Sequence, residues 1–267
     1  MLGLRSGIDL MQFKQNTIPE IIDSERDMVL TAPDRYGQHY EAAFGCTIFL
    51  SRFVKSIDAE IFIFGAFLSL VKKHHTLALF STVRLHKVQA MMNLRQVLEA
   101  GACAAYAIAS HDPKDFVDAN KHGLLNPSQK LTGKRYKWLA QYYPAGSDAI
   151  KEMKDRINAS TAHANLLNTH KTFRPDDNAR AFAAPFFDFE DQHEVKADLW
   201  LIGKVALTVL DLFYGVNAKL DLVKFADDFQ TQFQQLHQRN ESLGQELMST
   251  DRYKQAMEKE KVRKGLE

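Results

Sequence analysis

The sequence predicts a mainly α chain, a single helical-bundle domain with a small β-hairpin or a long loop at 171–190. Three observations predict it. No proline occurs in residues 59–110. Apolar and small residues recur at three- and four-residue steps, as in Leu94, Leu98, Gly101, Ala105 and Ile108, which is the stripe of an amphipathic helix. A second long apolar run, ADLWLIGKVALTVLDLFYGV, occupies 197–216.

Taken in order, residues 1–35 read as an irregular arm ending at the turn-like Ala32-Pro33-Asp34. Residues 36–57 read as a helix, because Tyr40, Phe44, Ile48 and Phe53 recur near helical spacing. Asp58 is placed to cap the next helix, since its carboxylate can take an orphan backbone N–H. A helix through all of 59–110 would be exceptional in length, so a break is expected near 72–76, where Lys72, Lys73, His74 and His75 interrupt the apolar pattern. Asp112-Pro113 ends the second half, because proline disfavours helix at the residue before it. A short helix at 115–122 closed by Gly123, a turn at 126–128 and another helical piece at 130–143 follow. Pro144 to Ser147 punctuate, and a helix runs from there to about His170. Residues 171–190 contain two prolines and no helical period, so they form a hairpin turning at Asp176-Asp177-Asn178 or an ordered loop. Asp191 and Glu194 then lead into the apolar run. Beyond it, Leu222, Phe225, Phe229, Phe233, Leu236, Leu243 and Leu247 make a narrow stripe that could dock on the domain or recruit a protein partner. A mixed-charge tail follows Met248. The organisation is thus an arm (1–35), a helical domain (36–217) and a C-terminal helix with its tail (218–267).

Composition narrows the function. Among 267 residues, 34 Lys and Arg balance 33 Asp and Glu, for a formal charge of +1. That argues against a dedicated polyanion-binding surface and leaves room for a local basic patch. Two cysteines, Cys46 and Cys103, exclude a disulfide framework and favour a reducing, cytoplasmic setting. Cys103 lies among alanines and reads as a small core residue. No secretory leader or lipidation pattern is expected. The run 61–71 is too short to cross a bilayer, which takes about 20 residues, so it reads as a buried helix and no membrane is expected.

Several chemistries are absent. There is no GxxxxGK[ST], GxGxxG or GxSxG motif. Asp188, Glu190, Asp191, His193 and Glu194 cluster, but Glu190 and His193 give the ExxH spacing once, whereas a helical di-metal site needs it twice. Acids at a helix start follow from the helix dipole alone. No metal or cofactor is expected.

The segment 151–170, KEMKDRINASTAHANLLNTH, is more informative. On a helix Arg156, His163 and His170 fall on one stripe, beside an apolar face of Met153, Ile157, Ala164 and Leu167. Lys130, Lys134, Arg135 and Lys137, interleaved with Tyr136 and Trp138, suit single-stranded RNA. Their alternative reading is an amphipathic helix with Tyr136, Leu139 and Tyr143 packed inward. Arg95 and Glu99 have the spacing of an intrahelical ion pair.

Arg156-Ile-Asn158-Ala-Ser-Thr-Ala-His163 resembles the Rx4–6H motif of the HEPN superfamily (higher eukaryotes and prokaryotes nucleotide-binding domains), and Leu94 to Glu99 is similar to a segment of helical bacterial proteins near it. The resemblance spans about 36–217, with its specific part in eight residues. It implies an all-helical homodimer and a metal-independent endoribonuclease of toxin or phage-defence type. His163 would be the general acid or base, Arg156 the stabiliser of the phosphorane, and Asn158 the orienting residue, with Lys134, Arg135 and Lys137 docking RNA. Arg156 and His163 lie roughly 10 Å apart along a helix axis, which would favour a cleft between two subunits.

Overall fold

The computed structural model describes residues 12–14, 16–119, 125–126, 129–161, 173–176, 181–183 and 185–264. Its frame is a set of packed helices: α1 (Ile18–Tyr36), α2 (Gln38–Arg52), α3 (Phe62–Val83), α4 (Lys87–Ala109), α5 (Gln129–Tyr142), α6 (Pro144–Thr161), α7 (Gln192–Asn217), α8 (Phe229–Ser249) and α9 (Asp251–Lys264). The mainly α, single-domain expectation holds.

Helix α7 is the centre. Val205, Val209, Leu210 and Phe213 are fully buried, and α2, α3, α4, α6 and α8 all pack on it. Among the described residues it alone is long and apolar enough to cross a membrane, yet 67% of its most apolar window is buried inside the fold. Burying each large apolar side chain contributes about 1.5–3 kcal/mol, so this stripe dominates the core. Gly101 lets α4 approach α7 closely: a Cβ there would stand 2.9 Å from Val209 Cγ2. The predicted stripe of α4 is the buried one, with Leu94, Leu98, Ala105 and Ile108 at 0% exposure.

Several expectations are corrected. Residues 18–36 are not an irregular arm but α1. Glu20 accepts from the Thr17 backbone N–H and hydroxyl, with Pro19 in the first turn, an N-terminal signature of helices. Pro33 lies inside the last turn, where Ala32 and Tyr36 are buried. The break expected at 72–76 does not occur. Helix α3 continues to Val83 because His75 is enclosed and partnered rather than exposed, and the chain reverses at Arg84, Leu85 and His86, with Leu85 at φ 58°. A short backbone bond from His86 N–H to the Ser81 carbonyl closes that turn. Finally, the helix expected over 36–57 stops at Arg52, and 54–57 form a strand.

That strand, β2 (Val54–Ile57), pairs antiparallel with β7 (Val223–Phe225). Asp58 caps a 3₁₀ turn at Ala59–Ile61 by accepting from Glu60 N–H. Strands β3 (Asp118–Ala119) and β4 (Leu125–Asn126) make a minimal pair, where a short helix was expected. Its proposed closure at Gly123 and the residues 127–128 lie outside the described residues. Within 171–190, β5 (Arg174–Asp176) pairs antiparallel with β6 (Ala181–Ala183), as the hairpin reading requires, and β1 (Gln12–Lys14) adds parallel to β6; the turn expected at 177–178 lies outside the described residues.

The C-terminal stripe docks on the chain itself. Phe229, Leu243 and Leu247 are buried, and Leu222, Phe225, Phe233 and Leu236 pack on the core. Helix α8 runs antiparallel to α7. The rings of Tyr214 and Phe229 stack, Gly203 meets Asn240, and Trp200 meets Gly244.

Candidate functional site

The candidate site lies where α4, α5 and α6 converge. On α4, Arg95 and Glu99 flank the buried Leu94, Val97 and Leu98, so both heads reach the rim while their stems pack. Arg95 Nε lies 3.1 Å from Glu99 Oε1, the ion pair expected from their spacing. Two elements complete the cluster. Lys154 of α6 places Nζ 3.1 Å from the same Glu99 oxygen and donates to Tyr136 Oη of α5 at 2.9 Å. Arg95 Nη1 donates to Asn158 Oδ1 at 3.0 Å.

Charge states follow from these neighbours. Burial pushes the Glu99 carboxyl up, but Lys154 and Arg95 outweigh it and hold it below the usual carboxylate range. Burial likewise pushes Lys154 down, but its hydrogen bond with Tyr136 and the Glu99 charge leave it raised. Glu99 is therefore a carboxylate and Lys154 an ammonium at neutral pH.

Beside it opens a groove of about 500 Å³, lined by Arg95, Tyr136, Lys137, Lys151, Lys154 and Asn158 among others. Four cations meet one lining carboxylate, Asp155, with Glu99 beneath them. Such a surplus on apolar walls focuses the field on an anion.

The residues named from sequence fare unevenly. Asn158 enters the groove. Arg156 is exposed and does not line it, because two residues along a helix turn a side chain by about 200°. The expected Arg156–Asn158 pair is thus split across α6, on either side of the buried Ile150, Met153 and Ile157. His163 and His170 lie outside the described residues, as do Ala164 and Leu167.

On α5, Lys137 is exposed and lines the groove. Lys134 is exposed too, but it pairs with Asp115, whose carboxyl is held low by that bond and by Ser110. Arg135 is a correction: it is 8% exposed, its guanidinium stacks over Phe116, and it donates to the Asp115 carbonyl and Thr132 Oγ1. It fastens α5 to the segment after α4 and offers no surface to RNA. Leu139 is fully buried and Tyr136 and Tyr143 pack on the core, as the amphipathic reading anticipated. Lys130, Lys134 and Lys137 also line a second groove on the other side of α5, with Tyr106 and Trp138 and no lining carboxylate.

The acidic cluster is committed elsewhere. Asp191 caps α7 and takes both guanidinium nitrogens of Arg252. Asp188 accepts from Lys87 N–H, Glu190 pairs with Arg35 and Tyr36, and Glu194 meets Lys87. Among the described residues no group of three or more His, Cys, Asp or Glu is placed to hold a metal ion. Cys103, expected in the core, is only part-buried at the α4 edge, and burial pushes its thiol up.

Lys151 and Lys154 were missed from sequence. Their signal was present as Ser147, Lys151, Lys154 and Asn158, a polar stripe at steps of four, three and four along α6, and three of these residues are charged or carboxamide groups. No family model, curated protein or solved structure matches the chain.

Proposed function

We propose that the chain is a HEPN-like protein that binds single-stranded RNA through the α4–α5–α6 groove and cleaves it without metal, as a cytoplasmic homodimer of toxin or phage-defence type. The observation that carries the reading is the groove itself, with four cations and a carboxamide around an open volume and only one lining carboxylate. Two free cysteines, one of them fully buried, suit a reducing compartment.

In this reading the RNA backbone lies along Lys137, Lys151 and Lys154, with Arg95 and Asn158 fixing one phosphate. Attack of a ribose 2′-hydroxyl on that phosphorus forms the new O–P bond and expels the 5′-oxygen, leaving a 2′,3′-cyclic phosphate. A group titrating near neutral pH must take the hydroxyl proton and return one to the leaving oxygen. His163, five residues beyond Asn158 in sequence, is assigned that role by the motif. Charge growing on the phosphorane is what guanidinium and ammonium donors stabilise. Arg156 keeps its motif role only if a second subunit brings it to the substrate. The rival reading, a partner-recruiting C-terminal helix, gains nothing from α8, whose apolar stripe packs on its own core.

The test is cleavage of single-stranded RNA in EDTA by the wild type, His163→Ala and Lys151→Ala/Lys154→Ala. Cyclic-phosphate ends that vanish with His163, and weaker RNA binding in the lysine variant, are expected. Equal cleavage by all three proteins would refute the assignment.

A further inference from the structure

The other flank of α5 carries the second groove, of about 620 Å³, lined by Tyr106, Lys130, Gly133, Lys134, Lys137 and Trp138 among others. Lys130, Lys134 and Lys137 follow at steps of four and three along the helix, so their side chains form one stripe. The stripe is about 10 Å long at 1.5 Å per residue, which spans about three phosphates of a nucleic-acid strand. None of the described lining residues is a carboxylate. Lys134 shares its charge with Asp115, which also accepts from Tyr106 and Ser110. Neither Lys130 nor Lys137 has an ion-pair partner among the described residues. The groove therefore keeps a cationic surplus with aromatic rings beside it, the combination that holds single strands.

Two observations join this groove to the first. Lys137 lines both. Gly133 shares a helix face with Tyr136 and Ala140, three and seven residues on, which line the first groove, yet it lines the second. A glycine inside a helix weakens it relative to alanine, and packing does not require one here, since a Cβ at Gly133 would meet nothing within 4 Å. At Gly101, Gly203 and Gly244, by contrast, a Cβ would collide with a side chain of the facing helix. The effect of Gly133 is to leave the ridge between the two grooves low, with its backbone open to close approach from outside.

Trp138 stands on the far side of the lysine stripe. Tyr106, Tyr142 and Tyr143 hold its ring, with centroids 5.3, 5.7 and 5.4 Å away, so little freedom is lost when a base stacks against it. We infer that a single RNA strand crosses α5 at Gly133, from the first groove into the second, with phosphates on Lys137, Lys134 and Lys130 and a base against Trp138. This rests on the reading of the first groove as the RNA site. It adds a demand on the substrate, a single-stranded segment long enough to fill both grooves.

The test is the affinity of the full chain for a labelled trimer and a labelled nonamer of 2′-O-methyl RNA, which lacks the attacking hydroxyl. Wild type, Gly133→Gln, Lys130→Ala and Lys151→Ala/Lys154→Ala are compared by fluorescence anisotropy. Glutamine is a good helix former, so Gly133→Gln should raise the melting temperature while blocking the crossing. The nonamer should bind more tightly than the trimer and lose about tenfold in Gly133→Gln, with a smaller loss in Lys130→Ala and no change for the trimer. The double lysine variant should weaken both lengths. Equal affinity for both lengths, or a nonamer unaffected by Gly133→Gln and Lys130→Ala, would overturn the crossing alone, provided that the double variant still weakens binding. No binding by the wild type, or none lost in the double variant, would overturn the first-groove reading and the crossing with it. Displacement of the nonamer by poly-glutamate as effective as that by unlabelled RNA would make this a surface for acidic protein and also overturn the assignment.

Discussion

His75 and Glu99 are both polar groups set against the same helical core, and they are treated in opposite ways. His75 is closed. It has no exposed surface, its Nε2 faces the Ile202 carbonyl at 3.1 Å and its Nδ1 faces Thr47 Oγ1 at 3.2 Å. Because a carbonyl only accepts, Nε2 carries a proton, and burial, which lowers the ring to about 4, keeps it neutral. Glu99 is open. Two cations share one of its oxygens and two more stand beside the groove, so charge remains after every internal contact is made. A polar group whose partners are all internal holds the fold together, whereas a cluster with charge left over is equipped to meet something from outside.

The largest expected effect lies on the closed side. Asn217 donates to the Val223 carbonyl and accepts from the Val223 N–H, both at 2.8 Å. Asn217→Ala strands two buried backbone groups and should cost about 3–5 kcal/mol, read from urea unfolding midpoints. A loss under about 1 kcal/mol would remove it from that class.

Acid should weaken the closed side next. Burial lowers His75 to about 4 and lowers His39 as well. The unfolded chain binds protons first, so the stability contributed by neutral His75 is complete above its ordinary value near 6.5 and is lost as pH falls toward 4. The loss from this residue is up to about 3 kcal/mol. Thermal melts between those pH values should flatten in His75→Leu; an unaltered slope would mean that other groups carry the dependence.

On the open side the effects move from stability to binding. Lys154→Ala should weaken RNA binding about tenfold while changing stability by about 1 kcal/mol, because Arg95 still neutralises Glu99. The reverse change, Glu99→Gln, removes the carboxylate beneath the groove and should tighten RNA binding about threefold. Equal binding in both variants would make the cluster a structural one like His75.

The same contrast explains what could be read from sequence. The α4 stripe, the Arg95–Glu99 pair and the Asp58 cap rest on local spacing and were legible, whereas 171–190, with two prolines and no helical period, reads equally as a hairpin or a loop. Helix α1 was obscured by Pro33, although Thr17 and Glu20 announced its start. His75 and Arg135 were misplaced because a charged or titratable side chain looks exposed until its buried partners are known, and Ile202, Thr47, Phe116 and Asp115 are all distant in sequence or on another element. The groove takes residues from three helices, so only Arg95, Tyr136, Lys137 and Asn158 of its lining stood out beforehand. Arg156 failed to join them for a local reason, since it points to the other flank of α6.

The central claim is that the cations of the α4–α5–α6 groove neutralise RNA phosphates. Its most direct test is the salt dependence of single-stranded RNA binding by the wild type and Lys151→Ala/Lys154→Ala. Each phosphate contact contributes about 0.7 to the slope of log affinity against log salt. The account predicts a slope shallower by about 1.4 in the double variant; an identical slope with RNA still bound would place the RNA elsewhere on the molecule.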